Sequence, residues 1–399
     1  MSETKNIEET SGLPEVKTFE DLKLNENILR GIYSYGWEKP SEIQSKAIKP
    51  ILEGNDIIAQ AQSGTGKTGT FSISALSVAD PEIAAPQVLM MSPVKDLSVQ
   101  TYKIIKSLGV HSGLKVSLVI GKGLGKSEVD YGKRMDIPNP DFKSQIIVGT
   151  PGRIIDCLER KKLNLSALRL LILDEADEML SKGFKEQVKK VFNYLSEEVQ
   201  IALFSATMPE EVINLSKSFM RNPVRILVKA EQLTLEGIKQ FYVNVESEMQ
   251  KFEVLCDIYE TISVSQGIIF VNSKQKAEDL KEKLEKKNHT ISIIHGGYNQ
   301  YERNDILDDF KNGRTRTLIA TDILARGIDI QQISLVVNYD IPYRVEPYLH
   351  RIGRSGRWGR KGVGINLVTL NDATNLKKIE KFYDTIIEPL PMNFMDLTK

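Results

Sequence analysis

Two cysteines, Cys157 and Cys256, are all the thiol chemistry the 399 residues carry. That is too little for a disulfide framework, and no Cys/His group has the spacing of a zinc site. Both sit in apolar helical patterns and read as small buried side chains. Net charge is also lacking, since Lys+Arg and Asp+Glu each number 53. A balanced chain neither requires nor excludes a nucleic-acid partner, because a local basic stripe is enough to bind phosphates. No apolar run approaches the roughly 18 residues of a membrane span, and Met1 to Gly12 has no apolar centre of a secretory leader. The expectation is a cytosolic or nuclear chain that does not enter a membrane.

What is present is an ordinary globular balance, 41% apolar and 27% charged, in a chain long enough for two or three domains. Short Val/Ile/Leu runs alternate with amphipathic segments. The expected strands are Asp56–Ala59, Val88–Met91, Val116–Ile120, Ile146–Val148, Leu170–Leu173, Ile201–Phe204 and Arg225–Val228. Helical spacing between them is clearest over Phe184–Leu195. A polar stretch, Lys229–Gly237, follows. A second series then begins at Gly267–Val271, Ile291–Ile294, Thr317–Ala320, Leu335–Asn338 and Ile365–Val368. Continuously apolar strands separated by helices predict parallel sheets covered on both faces. The divisions expected are a disordered tail over 1–18, an α/β domain over 19–228, a flexible linker over 229–237 and a second α/β domain over 238–399. The Lys281–Lys287 charge run shares a helix with Ala277, Leu280 and Leu284 and reads as a solvated face. Met135–Phe142, with two prolines, reads as an exposed loop.

Ala61-Gln62-Ser63-Gly64-Thr65-Gly66-Lys67-Thr68 lies between a strand and a helix, the context a phosphate-binding loop needs. Glycines let its N–H groups converge at a helix N-terminus, where phosphate is favoured. Lys67 would pair with the β- and γ-phosphates of ATP and the Thr68 hydroxyl would hold Mg²⁺. Asp174-Glu175-Ala176-Asp177 follows the apolar run Leu170–Leu173. Asp174 there suits Mg²⁺, and Glu175 suits the attacking water. Taken alone, an acidic helix start explains the same run.

With these two motifs the chain resembles the DEAD-box ATP-dependent RNA helicases from Phe19 to about Leu397. Within the family, Leu173–Lys182, Phe219–Val245 and Ala325–Gln332 look most like the helicase subunit of a cap-binding translation initiation complex. The resemblance implies two RecA-like domains, a monomer that binds RNA, and scaffold and cap-binding initiation factors as partners. Phe19, Trp37 and Gln44 are implied to read adenine, Gln44 through both sides of its amide. Ser205-Ala206-Thr207 looks like the motif coupling the ATP and RNA sites, which a helix N-cap also explains; Asp177 would join it. In the second domain, Gly327 and Asp329 are implied to contact the nucleotide. Arg354 and Arg357 are implied to be arginine fingers, and His350 and Arg351 members of an interdomain network. The Arg-rich run also fits a plain basic RNA patch. Relatives acting as ATP-locked RNA clamps of the exon-junction type, or as DNA translocases, would share the motifs.

RNA contacts implied in the same way are Pro93, Lys95, Gly121, Thr150, Gly152 and Arg153 in the first domain. In the second they are Asn272, Gln300, Arg303 and Thr321. The chain departs from the family at Pro93-Val94-Lys95-Asp96-Leu97-Ser98, where Pro-Thr-Arg-Glu-Leu-Ala is usual. Val94 lacks a hydroxyl, and Lys95 replaces a planar fork with a point charge. Lys122 interrupts the usual Gly-Gly pair, and Met135–Phe142 reads as an insertion. Lys122 is expected to supply a phosphate contact that offsets Val94. Lys122→Ala should therefore weaken RNA binding and flatten its salt dependence, and an unchanged affinity and salt slope would contradict this.

Overall fold

The computed structural model describes residues 16–61, 64–121, 139–181, 183–227, 238–261, 266–298, 300–322, 333–353 and 362–391. The chain divides into two compact units, the first ending at Val228 and the second beginning at Lys229. Each is built on one seven-stranded sheet with every pairing parallel, the two RecA-like α/β layers expected.

In the first unit the strands are β1 Ile57–Gln60, β2 Val88–Met91, β3 Val116–Val119, β4 Ile146–Gly149, β5 Leu170–Asp174, β6 Gln200–Ser205 and β7 Val224–Leu227. They lie in the order β3-β4-β2-β5-β6-β1-β7. All seven expected runs are strands, displaced by a residue or two at their ends. Their near-continuous apolarity follows from burial on both faces. Along β1, Ile57 and Ala59 enter one core cluster and Ile58 the other. Each such Ile, Leu or Val contributes about 1.5–3 kcal/mol on leaving water, so both helical layers are held by the sheet itself. The helix expected over Phe184–Leu195 runs from Lys185 to Phe192, with Phe184 at its start and turns through Leu195.

The second unit contains β8 Ile238–Asn244, β9 Gly267–Phe270, β10 Ile291–Ile294, β11 Thr317–Ala320, β12 Leu335–Asn338, β13 Gly362–Val368 and β14 Glu388–Pro389, in the order β10-β11-β9-β12-β13-β8-β14. Two of these, β8 and β14, were not expected. They form the margin of the sheet, and Ile-Lys-Gln-Phe-Tyr-Val-Asn lacks the apolar continuity of an interior strand. β13 was expected over Ile365–Val368 and begins three residues earlier, at Gly362. Leu284 is buried while Lys283, Glu285, Lys286 and Lys287 are exposed, a solvated helix face. Both cysteines are buried and free, and burial pushes both thiols up from their ordinary value. The segment 228–237 and residues 135–138 lie outside the described residues; Asn139–Phe142 has no regular structure.

Because every strand in each sheet is parallel, all seven carboxyl ends fall on one edge, where open sheets of this kind bind ligands. In the first unit that edge divides by strand order. β3, β4 and β2 lead into Gly121, Thr150 and Pro93, while β5, β6 and β1 lead into Asp174, Ser205 and Ala61.

Candidate active site

The phosphate loop leaves β1 at Ala61, whose N–H donates to Ser205 O at 3.0 Å. It closes on the helix Lys67–Val78 through Gly66, at φ +109°. Gly64 is also left-handed, at φ +84°. Such torsions are open to glycine at little cost. At Gly66 a side chain is excluded for a second reason, since a Cβ would stand 2.5 Å from Ser41 Oγ and 3.1 Å from Gln44 Nε2. Gly69, one turn on, would meet Gln44 and Trp37 at 2.5 Å each. These glycines let the Trp37–Gln44 segment lie directly on the loop. Gln44 is buried; its Oε1 accepts the Ser41 N–H at 2.8 Å and its Nε2 reaches Gly66 O at 3.5 Å. Trp37 is half-buried, with Tyr35 edge-on to it at 5.0 Å. Phe19, just upstream, is 0% exposed in the core of the first unit, with the Tyr33 ring edge-on at 6.3 Å.

Lys67 is buried, and its Nζ donates to Ala61 O at 2.6 Å. Thr68 follows it on the first turn, half-buried. Gln62 and Ser63 lie outside the described residues.

Asp174 is the last residue of β5, two strands from the loop. Burial pushes its carboxyl up to about 7, the neighbouring Glu175 carboxylate adds to this, and Lys67 and the Glu175 N–H oppose it. Glu175 then takes φ 50°, ψ 53°, a left-handed conformation that costs a residue with a side chain of order 1 kcal/mol or more and gathers at functional sites. It turns the chain sharply into the short helix Ala176–Met179. Glu175 is buried, and its Oε2 has no hydrogen-bond partner among the described residues. An unsatisfied carboxylate oxygen beside a carboxyl held above its ordinary range is a donor set suited to a divalent cation and an attacking water. Thr68 and Asp174 therefore fit the Mg²⁺ that ATP chemistry implies.

Asp177 is buried on the same helix. Its Oδ1 accepts the Ser205 hydroxyl at 2.8 Å and its Oδ2 the Thr207 hydroxyl at 2.6 Å. Hydrogen bonds to a charged group contribute about 1.5–3 kcal/mol each, so the acidic turn after β5 and the Ser-Ala-Thr turn after β6 move as one piece. Nothing in the spacing of 177, 205 and 207 shows this contact; it follows from β5 and β6 being neighbours.

On the other half of this edge, Val94 stands at the N-cap of the helix Lys95–Leu108 with no side-chain cap, as expected from the lost hydroxyl. Lys95 lies over Gly121, where a Cβ would be 3.7 Å from its Cε. Thr150 stands at the N-cap of the helix Pro151–Glu159 without a side-chain capping bond; the helix carries Gly152 and Arg153 on its first turn, and Arg153 pairs with Asp156. These residues are brought together at the ends of β2, β3 and β4. Lys122 lies outside the described residues.

The second unit repeats the arrangement around a buried cation. Arg351 is 0% exposed. Its Nε donates to Asp322 Oδ1 at 2.5 Å, Nη1 to Asp340 O at 2.6 Å and Nη2 to Asn272 Oδ1 at 2.8 Å. These partners make Arg351 a hub within its own unit. Asn272 is also constrained. Its Nδ2 donates to Ile341 O at 2.8 Å and its N–H to Asp340 Oδ2 at 2.9 Å. Asp340 further accepts Lys276 Nζ at 2.7 Å. Sequence reasoning missed Asp340, although an aspartate just past the apolar run Leu335–Asn338 is the same signal that marks Asp174. Thr321 is buried after β11, His350 is buried on the helix Glu346–Ile352, and Arg303 is half-buried on the helix Gln300–Lys311. The Gln300 side chain, Gly327, Asp329, Arg354 and Arg357 lie outside the described residues.

This geometry was compared with known proteins. The model of the DEAD/DEAH box helicase family matches residues 41–215, and that of the helicase conserved C-terminal domain matches residues 250–359. The chain is 52% identical over 376 residues to the ATP-dependent RNA helicase eIF4A of Candida glabrata, covering 94% of this chain and 93% of that protein. It is 50% identical over 382 residues to eukaryotic initiation factor 4A of Caenorhabditis elegans, covering 96% and 93%. Among solved structures it resembles Saccharomyces cerevisiae Dbp5 bound to RNA and ADP BeF3, with a TM-score of 0.85, 36% identity and coverage of 95% and 97%. Mss116p bound to ssRNA and AMP-PNP is similar at a TM-score of 0.80 and 25% identity, covering 96% and 81%.

The raised Asp174 carboxyl has a consequence for stability. Between its unfolded value near 3.8 and its folded value of about 7, the folded state holds a proton that the unfolded state has released. Stability is therefore lost as pH rises through that window. Asp174→Asn removes the buried charge, so without nucleotide it should raise the Tm more at pH 8 than at pH 5. An equal shift at both pH values would contradict the assignment.

Proposed function

This chain belongs to the DEAD-box ATP-dependent RNA helicases, and from that membership we propose that it hydrolyses ATP in response to RNA and opens short RNA duplexes without reading their sequence. The proposal extends to its setting: the cytoplasmic helicase of a cap-binding translation initiation complex, monomeric by itself and directed by scaffold and cap-binding factors. The initiation-factor names of relatives at 50–52% identity over nearly the whole chain support that setting. RNA in the Dbp5 and Mss116p structures supports RNA binding by this chain.

In the mechanism proposed, Lys67 releases Ala61 O and takes the β- and γ-phosphates. Thr68 and Asp174 would hold a divalent cation, which would neutralise phosphate charge. Glu175 Oε2 accepts from the attacking water and orients it toward the γ-phosphorus. Arg354 and Arg357 stabilise the charge that develops there, Gly327 and Asp329 contribute to the nucleotide site, and Trp37 and Gln44 select adenine. Phosphoryl transfer asks for positioning and charge more than covalent help, which suits this set. RNA is gripped along its backbone by Pro93, Lys95, Gly121, Thr150, Gly152 and Arg153, and by Asn272, Gln300, Arg303 and Thr321. Backbone contacts position without specifying, and the 2′-hydroxyl separates RNA from DNA.

The observation that carries the reading is the pair of hydroxyl bonds on Asp177. The residue lies two positions past Glu175, and its partners end the strand beside β5. These bonds join the turn carrying Glu175 to the Ser205-Ala206-Thr207 turn, which family resemblance makes the coupling motif between the ATP and RNA sites. ATPase activity should accordingly rise several-fold on adding single-stranded RNA, and equal rates with and without RNA would refute the gating. Glu175→Gln should bind ATP and RNA yet turn over roughly a hundredfold more slowly or worse. Full activity in that variant would remove Glu175 from its role.

A further inference from the structure

Two asparagines stand where the sheet of the second unit would otherwise be apolar. Asn338 ends β12, Asn366 lies in β13, and the parallel register pairs them directly. Both are 0% exposed. A buried amide is tolerated when its donors and its acceptor are met, and here they are met in one direction. Asn366 Nδ2 donates to Phe241 O of β8 at 2.9 Å and to the Tyr348 hydroxyl at 3.2 Å. A main-chain carbonyl only accepts, so this bond fixes which way the amide points. Asn366 Oδ1 then receives Asn338 Nδ2 at 2.9 Å, and Asn338 Oδ1 is left to receive Arg351 Nη1 at 3.2 Å. Tyr348 completes the row by donating to Gln240 Oε1 at 2.9 Å. The row crosses three adjacent strands and ends on one cation.

That cation is the hub at the carboxyl edge, bonded to Asp322, to Asn272 and to the carbonyl of Asp340, with Phe270 under its guanidinium at 5.3 Å. A planar guanidinium with donors in fixed directions transmits an orientation that a flexible ammonium would not. Packing alone does not account for the asparagines, because an apolar pair of similar size would fill the same space without desolvating two amides.

We propose that Asn338 and Asn366 are positioning residues for RNA-stimulated ATP hydrolysis. They orient Arg351, and Arg351 holds Asn272 and the Thr321-Asp322 turn in the arrangement that receives RNA. This rests on the reading that the second unit's carboxyl edge binds RNA. The asparagines themselves act at a distance, through the guanidinium.

Two variants separate positioning from packing. The double variant Asn338→Leu, Asn366→Leu replaces both partners with apolar groups and so should keep cooperative unfolding near the wild-type Tm. Its RNA concentration for half-maximal ATPase should rise about tenfold, the loss of one hydrogen bond to a charged group, while the rate without RNA stays unchanged. Asn338→Asp keeps an acceptor toward Arg351 but sets a carboxylate oxygen against Asn366 Oδ1. It should lower the Tm and leave RNA half-saturation near the wild-type value, and it carries the test alone if the double variant fails to fold. RNA half-saturation that follows Tm across the variants, or an unshifted value in a folded double variant, would overturn the proposal while leaving the RNA-stimulated reading intact. A wild-type ATPase indifferent to RNA would overturn that reading and the proposal with it.

Discussion

The buried carboxylate of Asp177 is the point on which the first unit's chemistry turns. Each of its oxygens is taken by a hydroxyl from the turn after β6, so the acidic turn after β5 cannot adjust by itself. The residue two places earlier, Glu175, is held in a left-handed conformation. That strain persists only where surrounding bonds over-determine it, and the Asp177 bonds are part of what does so.

Around this point the parallel sheet distributes tasks by strand order. β1 and β5 carry the phosphate loop and the acidic turn, and β4, β3 and β2 lead to the residues assigned to RNA. β5 touches both halves, since it pairs with β2 on one side and β6 on the other. The second unit uses the same edge but a different anchor. There a cation, Arg351, collects side chains and a carbonyl from neighbouring strands, where the first unit uses an anion to collect hydroxyls. Both devices are buried and hydrogen-bonded on several sides, the condition under which a buried charge is tolerated.

Much of this was legible in the sequence, for physical reasons. Strands buried on both faces must be apolar throughout, so all seven of the first unit could be read directly. The phosphate loop could be read because its glycines serve backbone geometry and Lys67 serves charge. What could not be read were contacts between elements distant in the chain. Asp177 reaches Ser205 and Thr207 only through strand adjacency, and the Arg351 hub only through the second sheet's order. β8 escaped because a marginal strand need not be apolar.

The Asp177 bonds tie the acidic turn to the proposed coupling turn, and linkage between two binding sites is reciprocal. The direct measurement is nucleotide affinity with and without single-stranded RNA, for the wild-type chain and for Thr207→Val, which deletes one of the two hydroxyls. RNA should tighten nucleotide binding by about fivefold or more in the wild type, as coupled sites commonly do, and by far less in the variant. An equal RNA effect in both would show that the coupling does not pass through Asp177.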